Sequence, residues 1–133
     1  MLIVDSNGLP IGVNVFPANR HEPALVEETL DYSLKSIGSP RHMIGDTAYS
    51  SKPLTQRLLK NYKIQLTAPP KRHYVNFFHD KRKLRRSKRR WKVERCFAWI
   101  KHHRRVHCRW EFYPENYLGF VHLACIQILL KYV

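Results

Sequence analysis

The chain has 133 residues, of which 44% are hydrophobic and 12% aromatic, which suffices for one cored domain and excludes a disordered polypeptide. Twenty-four Lys and Arg against ten Asp and Glu leave a formal charge of +14, and almost all of it is carried by residues 81–133. A near-neutral front and a cationic back point to a polyanionic partner, nucleic acid before membrane, because no lipidation motif or basic amphipathic anchor is present.

In chain order, Leu2-Ile3-Val4 predicts a strand, Asp5-Ser6-Asn7-Gly8 a hairpin turn, and Leu9 to Phe16 the returning strand. A strand that opens at residue 2 implies a missing element before it. Pro23 suits the first turn of a helix whose apolar positions Leu25, Val26, Leu30, Leu34 and Ile37 recur at helical spacing until Gly38 and Pro40 end the run. A short strand over residues 42–45 leads into Asp46. Ser51 and Pro53 then start a helix carrying Leu54, Leu58 and Leu59, and residues 64–67 form another strand. Strands alternating with helices after a hairpin predict an α/β fold with a mixed sheet. Residues 71–83 are an aromatic and basic connection. A long helix is expected from Leu84 to about Arg105, and a second from Pro114 to Tyr132, apolar on most sides and therefore packed inside.

At roughly 100° per residue, setting Arg90 to zero places Lys101 near 20°, Glu94 near 40° and Arg105 near 60° on the long helix. Val93, Ile100 and Cys96 fall near 300°, 280° and 240°, on an apolar stripe beside them. A lone carboxylate therefore sits among cations, although Arg90 and Glu94 also read as an ordinary i,i+4 pair on a solvated face. Asp46 follows a short apolar strand, the position where ligands and metals gather in open α/β sheets; a turn or capping aspartate is the plainer reading. Residues 81–92 hold nine Lys or Arg, a tract suited to phosphate contact. His103, His107 and Cys108 lack a fourth ligand for zinc. Three cysteines make no paired framework, the first residues do not read as a signal peptide, and the apolar stretch from Tyr117 to Leu130 is short for a membrane span. A cytoplasmic protein is expected.

The stretch from Val4-Asp5-Ser6-Asn7-Gly8-Leu9-Pro10 through Ala18-Asn19-Arg20-His21-Glu22 resembles a segment of bacterial insertion-sequence transposases of the DDE type, in the insertion sequence four/five superfamily. Gly45-Asp46-Thr47-Ala48-Tyr49 resembles their second-aspartate motif. Arg90, Glu94-Arg95, Phe97, Trp99 and Lys101 with Arg104-Arg105 resemble the third motif, where arginine precedes the catalytic glutamate by four positions and lysine follows it by seven. Residues 109–124 are similar to the family's last helix. The resemblance implies one partial ribonuclease H-like domain over residues 1–133, with Asp46 and Glu94 as catalytic, metal-binding acids for Mg²⁺ or Mn²⁺. It implies DNA contacts from Arg90, Lys101, Arg95, Arg104 and Arg105, with transposon ends and target DNA as partners.

In that family the first catalytic aspartate lies on the strand before the hairpin, so it and the end-recognition domain are expected to be missing here. Asp5, at the hairpin tip, is not its substitute. Ser87 stands where some relatives carry tyrosine. The expectation is a truncated or split transposase, inactive alone and weak in metal binding. It would assemble as a homo-oligomer or with an upstream-encoded half; the alternative is a non-catalytic DNA-binding fragment that modulates a full-length relative.

Overall fold

The computed structural model describes residues 1–38, 40–69, 85–86 and 88–132. The connection expected over residues 71–83, the start of the long helix at Leu84, and Ser87 lie outside the described residues. What is described is a mixed α/β arrangement of two small sheets and five α-helices.

Strands β1 (Leu2–Val4) and β2 (Pro10–Val13) form the expected antiparallel hairpin. Asp5 organises its turn, accepting from the Asn7 and Leu9 amides at 2.8 Å each, and Gly8 follows at φ 88°, a conformation that glycine adopts freely. The returning strand is shorter than expected. A bulge between Ile3 and Val4 shifts the register, and at its far end the Val15 amide turns to its neighbour's side chain, Asn14 Oδ1, instead of the ladder.

A 3-10 turn at Glu22–Ala24 with Pro23 inside it leads into α1 (Leu25–Ile37). This helix lies directly on the hairpin: a Cβ on Gly12 would stand 2.2 Å from Ser33 Oγ, so only glycine permits the approach. Ser33 and Thr29 are themselves buried, and each satisfies its hydroxyl on the carbonyl four residues back. Strand β3 (His42–Ile44) pairs in parallel with β4 (Gln65–Thr67), the crossover being α2 (Lys52–Tyr62). Lys63, left-handed at φ 57°, closes α2 and turns the chain into β4. Val26 and Leu30 of α1, Leu54 and Leu58 of α2, and Ile64 make one buried cluster, against which Ile3, Met43 and Leu66 pack. The hairpin and the parallel pair thus share a core while remaining separate two-stranded sheets.

The single helix expected up to Arg105 is broken twice within its described part. Arg89 and Arg90 form a turn, α3 runs from Trp91 to Lys101, and a separate short helix α4 spans Arg104–His107. At the second break the His102 and His103 amides bond only three residues back, and His103 then becomes extended at ψ 117°. The new direction lets α4 bury Val106 against α5 (Pro114–Leu129), where Tyr117 Oη donates to the Val106 carbonyl at 2.9 Å.

Cys96 and Ile100 of α3, Val106, and Val121, Ala124, Cys125 and Ile128 of α5 form the second cluster, together with Leu2. Helix α5 is therefore not packed on most sides as its composition suggested. It buries one face, and Leu123, Ile126 and Leu130 stand exposed on the other. Among the described residues no helix is long and apolar enough to cross a membrane.

Candidate nucleic-acid interface

Helix α3 is fastened to the hairpin tip by Arg95 and Lys92. Trp91, Arg95 and Trp99 recur every four residues, so their side chains stack along one side of the helix. The Arg95 guanidinium lies 4.6 Å from the Trp91 ring centroid and 4.7 Å from that of Trp99. From that slot its Nη2 donates to the Asn7 carbonyl at 2.6 Å, while Lys92 Nζ donates to the Ser6 carbonyl. The helix is thereby clamped to the tip of the hairpin. The approach is close: a Cβ on Gly8 would meet Arg95 Nη2 at 2.7 Å.

With that side committed, the opposite stripe of α3 faces out. Arg90 and Glu94 form the i,i+4 pair at 3.4 Å, both exposed, and Lys101 and the half-exposed ring of Phe97 share their stripe. Beyond the break, Arg104 is exposed. Arg105 stacks over the Phe120 ring at 4.9 Å and pairs with Glu111 at 3.5 Å.

The five cations singled out from the sequence therefore occupy three kinds of position. Lys101 and Arg104 make no ion pair among the described residues, Arg90 holds only the exposed Glu94, and Arg95 and Arg105 are engaged with the protein itself. Arg105 also leaves the stripe computed for one continuous helix, because it belongs to α4. Its spacing from Arg90 carried no sign of the break.

Asp46 lies just past the carboxyl end of β3, whose pairing continues through the Gly45 amide to the Thr67 carbonyl at 3.0 Å. Its Oδ1 accepts from the Ala48 amide at 2.8 Å and caps the 3-10 turn Thr47–Tyr49. Tyr49 reaches from that turn to Glu22, donating to Oε2 at 3.3 Å. Burial first, then the charges of Glu22 and Asp46, hold the phenol neutral well above its ordinary range. In the sequence Glu22 stood out only as the end of the stretch that resembles the family; the structure gathers it with Tyr49 and Asp46.

Asp46 caps its turn and Glu94 pairs with Arg90, each carboxylate having a partner of its own. Their carboxylate oxygens are hard donors suited to Mg²⁺, yet among the described residues no group of three or more His, Cys, Asp or Glu could hold a metal ion. Asp5 has its Oδ1 taken by two turn amides. The described donor set is thus incomplete for a two-metal centre, and no chemical step through a metal follows from it.

Residues 1–129 match the model of the transposase DDE domain family. The chain is 31% identical over 131 residues to a Brucella ovis protein named "Putative transposase for insertion sequence element IS6501", covering 97% of this chain and 95% of that relative. No solved structure matches it.

Proposed function

This chain belongs to the transposase DDE domain family, and from that premise we propose that it contributes the DNA-gripping part and two of the acids of a metal-dependent strand-transfer centre. In this reading the hairpin and the parallel pair β3–β4 are parts of a ribonuclease H-like sheet. The outward stripe of α3, continued by Arg104, lies along the phosphates of a transposon end. The observation that carries the reading is the exposed, unpaired state of Lys101 and Arg104 beside Arg90 and Glu94, in the half of the chain that holds most of its positive charge. Cations that neutralise phosphates release counterions, so binding is expected to be strong at low salt and steeply salt-dependent.

Asp46 and Glu94 would hold the divalent ion. When bound, such an ion supplies Lewis acidity for hydrolysis at the transposon end and for attack of the freed 3′-hydroxyl on target DNA. Glu94 on its own places a negative charge against the DNA, and Arg90 offsets it until a cation arrives. Among the described residues no third His, Cys, Asp or Glu completes the set of Asp46 and Glu94, and this reading expects the chain to bind DNA without cutting it. A fragment of that kind also has the means to modulate a full-length relative by occupying its DNA or joining its assembly.

The deciding experiment incubates purified chain with supercoiled plasmid and Mn²⁺, with Glu94→Gln as control, while salt-dependent DNA binding is measured in parallel. Binding without nicking is the expected result. Nicking that Glu94→Gln abolishes would mean that a complete metal centre assembles from this chain alone. Absence of DNA binding at low salt would overturn the reading altogether.

A further inference from the structure

The segment between α4 and α5 displays three aromatic rings to solvent: Trp110 is 69% exposed, Phe112 87% and Tyr113 62%. Large apolar side chains so open are common singly, but three within four residues form a patch that calls for a ligand. The segment is held in shape rather than loosely draped. Arg109 bridges it from beneath, donating Nε to the Glu111 carbonyl at 3.0 Å and Nη2 to the Phe112 carbonyl at 3.1 Å, while its guanidinium lies 5.6 Å from the Tyr117 ring centroid. Glu111 points inward, with its side chain only 7% exposed, where it accepts from the Trp110 amide at 3.1 Å and pairs with Arg105. Polar anchors alternate with outward rings: Arg109 and Glu111 fasten the backbone, and Trp110 and Phe112 project from it. Phe112 and Tyr113 meet edge to face at 5.2 Å, so the two rings brace one another instead of collapsing onto the protein.

We propose that this segment is a stacking platform for unpaired nucleobases. Flat faces of Trp and Phe stack on any base, and a cationic surround tracks the adjoining phosphates. Positive charge is at hand: Arg109 lies against the segment itself, and Arg104 on α4 and Lys101 at the end of α3 are exposed a few residues earlier in the chain. A protein partner of apolar character would gain nothing from those charges, whereas a single-stranded or frayed DNA end uses both the rings and the cations. The proposal rests on the DNA reading above and adds to it a contact to bases, made by residues that follow Lys101 and Arg104 in the chain. Rings held outward by a fastened backbone lose little freedom on stacking, which favours capture of a base that is already unpaired over one paired in a duplex.

The test compares a blunt duplex with the same duplex carrying a four-nucleotide single-stranded tail that contains 2-aminopurine. The tail is expected to raise affinity about 5- to 10-fold and the 2-aminopurine fluorescence to fall on binding, as stacked fluorophores are quenched. Trp110→Ala with Phe112→Ala should remove both effects while affinity for blunt duplex stays the same, and Phe112→Tyr should retain them. Equal affinity for the two DNAs, or a tail preference that survives the double substitution, would overturn the platform and leave the DNA reading standing. Failure to bind even the blunt duplex would sink that reading instead. Because the substituted side chains are exposed, circular dichroism of the variants should match the parent.

Discussion

Arg95 and Asn7 are 88 positions apart in sequence and 2.6 Å apart in space, guanidinium to carbonyl. That contact joins the hairpin tip to the helix whose next residue toward the N-terminus is Glu94. It also gives the Arg95 guanidinium protein partners of its own, where the motif resemblance expects a DNA contact.

Replacing Arg95 by Ala should therefore be a stability change first. Two ring contacts and a charge-assisted hydrogen bond are lost, roughly 2–3 kcal/mol together, readable as a lower urea midpoint. Arg95→Lys should recover little of it, because an ammonium does not lie flat between two indoles. Gly8→Ala should act on the same joint from the other side, through its positive φ and the 2.7 Å approach to Arg95. An Arg95→Ala protein with unchanged stability and weakened DNA binding would show the guanidinium to be a phosphate contact after all.

On the open stripe the expectations run the other way. Glu94→Gln should leave the fold intact and raise DNA affinity a few-fold, since a negative charge beside phosphate disappears. Arg90→Ala and Lys101→Ala should each weaken binding and reduce the slope of log K against log salt by about 1. A titration of duplex DNA at several salt concentrations checks all three. If Lys101→Ala leaves both affinity and slope unchanged, the stripe is not the interface.

Asp46 has a structural duty and a proposed chemical one, and two substitutions separate them. Asp46→Ala removes the cap of the Thr47–Tyr49 turn and should cost about 1 kcal/mol. Asp46→Asn keeps an oxygen for the Ala48 amide, so its stability should stay near that of the parent while binding of Mn²⁺ to the chain is lost. Equal Mn²⁺ binding by parent and Asp46→Asn, measured by calorimetry, would remove Asp46 from the metal ligands.

Cys96 and Cys125 are buried in the second core cluster, and burial pushes each thiol up to about 11 from an ordinary 9.0. In the unfolded chain these thiols lose protons before they do in the folded one. Their contribution is complete below about pH 9 and is lost as pH rises toward 11, by at most roughly 2–3 kcal/mol per thiol. Urea unfolding at pH 8 and pH 10.5 should show the decline, and it should shrink in Cys125→Ala. At pH 8 a thiol reagent should label exposed Cys108 rapidly and the two buried thiols only on unfolding.

Much of the local structure was legible in the sequence. The turn Asp5–Gly8, Pro23 in the 3-10 turn that leads into α1, Pro53 in the first turn of α2, and the apolar spacing of Leu25, Val26 and Leu30 each specify an element through contacts within a few residues. The misreadings share a different origin. A continuous helix through Arg105 satisfied every local preference, yet Val106 is buried only if the chain turns at His103 and packs on α5. The apolar content of α5 forecast burial on most sides, because composition counts side chains without saying how many neighbours exist to cover them. Glu22 was invisible as a partner of Tyr49, since the two meet only when the turns before α1 and after β3 come together.

By itself the sequence determined the family motifs, the surplus of positive charge, and the helix that carries Arg90, Glu94 and Lys101 on one stripe. Those are matters of residue type and of a period that the backbone imposes everywhere. Which cations are left without a protein partner was decided by the tertiary structure alone. Spacing says which side of a helix a guanidinium leaves from, but not what will stand there. For Arg95 it is a hairpin carbonyl between two indoles, for Arg105 a ring and a buried carboxylate, and for Lys101 and Arg104 open water.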